Sequence, residues 1–241
     1  MQRDLSSAYR FLEIATHYGQ AGKHDQALLW AEKGIKAFPT RTDGRLREFL
    51  ADEYHRRDRQ DDAMALAWAS FSEQPSLQEY ERLKAHAGRA KIWSMWREKA
   101  LDAIRERIEK NRKTTPKSPY GPTVDHSLLV EIYLSEKHAE AAWQEAQAGG
   151  CSSALWLTLA ERREKTHPED ALPIYKRHLD STLAQTNNAA YETGVRLLKK
   201  IHGAMSRMGQ QQTFAPYLAS VRVTYARKRN FVRLIEETRW S

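Results

Sequence analysis

The sequence predicts an all-α protein, a right-handed α–α superhelix (solenoid) of about six helical hairpins. Three observations predict it. Ala, Leu, Glu, Lys, Arg and Gln dominate and β-branched residues are sparse, which is a helix-forming composition. The stretch HDQALLWAEKGIKAFP, His24 to Pro39, is answered 36 residues later by QDDAMALAWASFSEQP, Gln60 to Pro75, with Ala27, Ala31 and Pro39 at the places of Ala63, Ala67 and Pro75. No stretch carries a strand signal. One helix pair cannot bury its own apolar face, so a repeated pair implies neighbours stacked into a continuous core.

Taken in order, Phe11, Ile14, Ala15 and Tyr18 fall at helical spacing and form one apolar face. Gly22 breaks that helix and Asp25 offers a cap to the next, whose face is Ala27, Leu28, Ala31, Gly34 and Ile35. Small residues there let two helices approach closely, and Pro39 stops the helix. The second copy reads Leu46, Leu50, Ala51 and Tyr54, then Asp61 as a cap, then Ala63, Ala67 and Ser70, and ends at Pro75. A looser third copy runs Tyr80, Leu83 and Ala87, then Trp93, Trp96, Ala100 and Ala103, and its second helix continues through LDAIRERIEKNR. KTTPKSPYGP, Lys113 to Pro122, is a loop and the expected subdomain boundary. The expected divisions are hairpins over 1–112, a Pro-rich loop over 113–124 and further hairpins over 125–241, in one continuous array. In the last part, DHSLLVEIYLSEKHAEAAWQEAQAGG reads as a pair broken near Ser135 and ended by Gly149-Gly150. The next pair has Pro168 in a first turn and Pro173 further in, where it would kink the helix. Asn caps open the helix of NNAAYETGVRLLKKIHGAMSRMG, which ends at Gly209, and one or two helices follow.

Composition bounds the function. No run of about 18 apolar residues exists to span a membrane, and the N-terminal residues carry no export signal, so no membrane partner and a cytoplasmic location are expected. A single cysteine, Cys151, makes neither an internal disulfide nor a thiolate zinc site. The nine histidines form no HExxH, HxH or i, i+4 pair. Nucleotide-binding glycine loops and a nucleophile-elbow GxSxG are missing too. The expectation is a non-catalytic chain with no cofactor and no metal. Its formal net charge of +8 is localised, because Thr193 to Ile235 holds nine cations and no Asp or Glu. The remainder is close to neutral.

The helix-turn-helix unit resembles the tetratricopeptide repeat, in which an aromatic, two Ala-type positions and a terminal Pro recur at these spacings. In such arrays the first helices of the pairs line a concave groove. The resemblance puts Thr16 and Gln20 of the first unit, Arg45, Glu48, Asp52, His55 and Arg56 of the second, and Glu81 and Arg89 of the third along it. Mixed charge there suits a polar peptide or protein partner. Leu12 stands where chaperone-binding repeats carry a carboxylate-clamping Lys, so capture of a chaperone C-terminus is not expected. Two longer blocks extend the likeness over nearly the whole chain: AEKGIKAFPTRTDGRLREFLADEYHRR, and YETGVRLLKKIHGAMSRMGQQQTFAPYLASVRVTYARKRNFVRLIEE with RKRNF at Arg227 to Phe231. They resemble the C-terminal region of bacterial SWIM zinc-finger family proteins. In that family a finger of CxC and CxH pattern lies upstream of the helices. No residue here matches a finger ligand. The resemblance implies a helical module that accompanies a finger expected to contact nucleic acid or protein.

The second candidate surface is the basic segment: Arg196, Lys199, Lys200, Arg207, Arg222, Arg227, Lys228, Arg229 and Arg233. On a helical wheel Arg196, Lys200 and Arg207 lie opposite Leu197, Leu198, Ile201, Met205 and Met208, which leaves the basic side to solvent, to phosphates or to an acidic partner. Phe214, Tyr217, Tyr225 and Phe231 either stack on bases or belong to the core. The sequence therefore favours a scaffold that binds a protein partner, with nucleic-acid association through the C-terminal helices as the alternative.

Overall fold

Residues 7–39, 42–114 and 126–240 are described in a computed structural model of the chain. They form thirteen helices and, among the described residues, no strand. The first six are α1 (Ala8–Gln20), α2 (His24–Ala37), α3 (Gly44–His55), α4 (Gln60–Glu73), α5 (Leu77–Arg89) and α6 (Trp93–Thr114). The rest are α7 (Ser127–Ser135), α8 (Ala139–Gly149), α9 (Ser153–Arg163), α10 (Pro168–Leu183), α11 (Asn188–Arg207), α12 (Gln211–Thr224) and α13 (Arg229–Glu237). Packing divides the chain into two units, Met1–Pro116 and Lys117–Ser241. Of the Pro-rich loop expected over 113–124, Lys113 and Thr114 are the last residues of α6; the remainder lies outside the described residues.

Within each unit the helices pack in sequence order, except that α13 packs on α11 rather than on α12; α1 also meets α3, and α7 meets α9. The hairpin turns show why. Five of them, closing α1–α2, α3–α4, α5–α6, α7–α8 and α11–α12, are one structure. Each places a single residue in the left-handed region: Gly22 (φ 72°), Asp58 (56°), Lys91 (57°), Lys137 (65°) and Gly209 (70°). The following N–H reaches back five residues to a carbonyl: Lys23 to Tyr18, Arg59 to Tyr54, Ile92 to Ala87, His138 to Tyr133 and Gln210 to Met205, at 2.8–3.0 Å. This 6→1 closure satisfies the orphan carbonyls of the first helix and launches the second at a fixed angle.

Counting from the left-handed residue aligns the core. Eight positions back stand Ile14, Leu50, Leu83, Leu129 and Ile201, all buried. Nine positions on stand Ala31, Ala67, Ala100 and Ala146, also buried. The repeat that the sequence shows in two clear copies thus extends to α7–α8; α11–α12 shares the turn and the buried Ile201 but has the half-buried Leu218 at the alanine position. The pair α9–α10 varies the theme. Thr166 and His167 both donate to Arg163 O, so the turn closes over four residues instead of five and needs no left-handed residue. Leu159, Ala160 and Ala171 are buried there, and Tyr175 fills the position that Ala31, Ala67, Ala100 and Ala146 hold in α2, α4, α6 and α8.

Two predicted caps differ. Asp25 and Asp61 sit inside the first turns of α2 and α4, while the cap positions are Lys23 and Arg59 with no side-chain cap bond. The 6→1 turn uses those positions for its own backbone bond, so the carboxylates serve the helix dipole instead. Asn187 does cap α11, accepting from Ala190 N at 2.9 Å. Helix α10 runs on through Pro173. The close approaches expected of small residues are present. A Cβ on Gly34 would meet Phe11 Cβ at 2.6 Å and Leu46 Cδ2 at 2.7 Å, so α2 lies against both α1 and α3 only because that residue is glycine.

Candidate functional site

In the first unit α1, α3 and α5 are linked by polar side chains: Arg45 of α3 lies over the Tyr9 ring of α1, and His55 and Asp52 of α3 meet His86 and Arg89 of α5. On α1, Tyr9, Thr16 and Gln20 fall at i, i+7 and i+11; Thr16 is half-buried and Gln20 exposed. On α3, Arg45, Glu48, Asp52, His55 and Arg56 follow the same spacing. Arg45 is exposed, stacks on the Tyr9 ring at 5.2 Å and grips Asp43, the α3 cap, with Nη2 at 2.7 Å and Nε at 3.0 Å. That grip holds the Asp43 carboxyl below its usual range.

Helix α5 joins the face through Arg89, which the sequence predicts, and through His86, which it does not single out. His86, 1 % exposed, sits between His55 and Glu48. Its Nδ1 is 2.9 Å from His55 Nε2, and its Nε2 is 3.3 Å from Glu48 Oε2. His55 Nδ1 is in turn 2.5 Å from Gln60 Oε1. The hydrogen bond from His86 holds the Glu48 carboxyl below its ordinary value against the opposing effect of burial. Burial pushes His55 below the usual imidazole value, with the Gln60 bond acting the other way. Arg89 pairs with Asp52 across the same helix pair. Glu81 points along another flank of α5, 3.9 Å from Lys84, and Arg56 is turned to Glu53 at 3.3 Å. Thus Glu48, Asp52, His55 and Arg89 of the predicted set are brought together, with His86 added. Glu81 and Arg56 stand apart. The spacing of Arg82, His86 and Arg89 at i, i+4 and i+7 was the signal for His86.

Two buried charges brace this face. Glu53, 3 % exposed, accepts from Arg57 at 2.7 Å and faces His24 Nδ1 at 3.1 Å, tying α3 to the start of α2. Arg47, 7 % exposed, holds Glu73 with two bonds of 2.7 Å, tying α3 to the end of α4.

In the second unit the basic segment divides. Lys200 is 3.3 Å from Glu161 and 3.4 Å from Glu164, Arg222 pairs with Glu236, and Arg233 is 3.7 Å from Glu237. Lys228 lies over the Tyr191 ring at 5.8 Å. Arg196, Lys199, Arg207, Arg227 and Arg229 are exposed and make no ion pair among the described residues. Leu197, Leu198, Ile201 and Met205 are buried opposite them, as the wheel predicts, and Met208 is half-buried. Phe214 and Phe231 are core residues, 4 % and 0 % exposed, and Tyr225 donates to Asp180 at 2.8 Å. The base-stacking role open to these rings is therefore closed to the two phenylalanines.

No protein-family model matches this chain, and no curated protein matches it. No described helix is long and apolar enough to cross a membrane.

Proposed function

We propose that this chain is a non-catalytic, cytoplasmic scaffold that binds a protein partner on the α1–α3–α5 face of its first unit. The observation that supports this is the ordering of that face. Its charged side chains are fixed by the Asp52–Arg89 pair, the Glu48–His86–His55 chain and the Arg45–Asp43 grip. Preorganised polar groups spend little conformational entropy when a partner arrives. The resemblance to the helical part of SWIM zinc-finger proteins supports a module that works beside a finger. Affinity capture from a cell extract tests the reading. Arg45→Glu with Asp52→Lys should lose a partner protein that the wild type retains, with unchanged circular dichroism. Equal capture by both would refute it.

A second reading, association with nucleic acid, is favoured by one observation. Arg227, Lys228 and Arg229 crowd the start of α13, the positive end of its dipole, with no acidic residue in the first turn. Each cation placed there costs about 0.3–1 kcal/mol. An anionic partner would relieve the crowding. Titration with short DNA and RNA at two salt concentrations decides it. Phosphate binding should weaken steeply with salt and vanish when Arg196, Lys199, Arg227 and Arg229 are neutralised.

A further inference from the structure

The two imidazoles at the centre of the α3–α5 face share a hydrogen bond. The centroids of His55 and His86 lie 5.1 Å apart with planes only 10° apart, and the nearest nitrogens are 2.9 Å apart. Two rings joined edge to edge by such a contact must have centroids about that far apart, so the rings share a plane. The chain then runs Gln60, His55, His86, Glu48.

Its proton inventory is restrictive. With Gln60 Oε1 toward His55, His55 Nδ1 donates to it, and His55 Nε2 must accept. His86 Nδ1 then donates to His55, and His86 Nε2 faces the Glu48 carboxylate. A bare nitrogen lone pair against a carboxylate repels; an N–H completes the bond. In this direction the chain is satisfied by one imidazolium. Turning the Gln60 amide reverses the Gln60–His55 and His55–His86 bonds, leaves His86 Nε2–H donating to Glu48, and satisfies the chain with both rings neutral. A second proton sets two N–H groups against each other across the shared contact, and no tautomer relieves them.

We propose that the His55–His86 pair is a one-proton switch: it takes up a first proton by reversing its hydrogen bonds, and a second proton drives α5 from α3. The charged groups facing the pair are Glu48 and Asp52 from α3 and Arg82 and Arg89 from α5; α4 contributes the uncharged Gln60. The carboxylates favour the first proton and the arginines oppose the second. The folded chain binds that second proton more weakly than the unfolded chain, whose histidines titrate near about 6.5. Stability is therefore complete above that value and falls as pH drops below it. If the face binds the partner proposed above, acid dissolves its arrangement. That consequence rests on the earlier reading; the titration does not.

The test is a histidine ¹⁵N NMR titration of the whole chain from pH 8 to 4.5, without a partner. His55 and His86 should titrate in two steps separated by more than about one pH unit. Nuclear Overhauser contacts between the His55 and His86 rings should persist through the first step and be lost with the second. In His55→Gln, Tm should fall less between pH 7 and 5 than in wild type. Coincident titration of the two rings, ring-to-ring contacts that survive the second step, or identical Tm–pH curves for both proteins would overturn the switch. Failure of partner capture at neutral pH would overturn only the binding surface.

Discussion

Glu53 and Arg45 carry opposite lessons about charge. Both form short ion pairs, yet Glu53 is 3 % exposed and Arg45 stands in solvent. Removing one partner of a buried pair leaves a desolvated charge, so Glu53→Ala should cost about 2–4 kcal/mol by urea denaturation. Arg45→Ala should cost less than about 1 kcal/mol. Nothing in the sequence separates the two, because a carboxylate beside arginines reads the same on either face of a helix. Glu73 adds an acid-side term. The Arg47 hydrogen bond holds its carboxyl below the ordinary value, so its contribution is present at neutral pH and lost as pH falls through the carboxylate range. An Arg47→Met variant should lose that part of the acid dependence, read as a flatter stability–pH curve below pH 5.

At the scale of elements, the shared turn explains both what the sequence reveals and what it hides. Tyr18 and Tyr54, Ala27 and Ala63, and the terminal prolines display the first two hairpins as text. The later copies keep fewer of those letters: α7–α8 retains Tyr133 and Ala142, but Trp96 and Phe214 replace the small residue five positions beyond the turn in α5–α6 and α11–α12, and Lys91 and Lys137 stand where the first copy has Gly22. Backbone geometry persists while side chains drift, since one costly φ > 0 residue is tolerated where the 6→1 bonds over-determine it. Lys91→Gly and Lys137→Gly should each therefore stabilise by about 0.5–1 kcal/mol, the relief of left-handed strain exceeding the added unfolded-state freedom. Thermal melts measure this directly. Gly34→Ala should go the other way by about 1–3 kcal/mol, since its Cβ collides with Phe11 and Leu46. The helix ends were legible from proline and asparagine, and the α2 and α4 caps were not, because turn bonding between backbone groups leaves no side-chain signature.

For the whole molecule, fold class was readable because period and composition speak for every helix at once, while function depends on a few side chains whose environment no sequence states. The charge excess illustrates this. Nine cations read as one basic tract, yet Lys200 meets carboxylates of α9 and its turn, Arg222 meets Glu236 of α13, Arg233 meets Glu237 one turn on in its own helix, and only part of the tract is left to a partner. The central claim is that the first unit binds protein and that the residual basicity is not the principal binding surface. Site-specific photocrosslinking in cells tests it most directly, with the crosslinker at exposed Gln20 in one variant and at exposed Arg229 in another. The account predicts a discrete protein adduct at Gln20. Adducts at Arg229 alone, released by nuclease and not by protease, would contradict it.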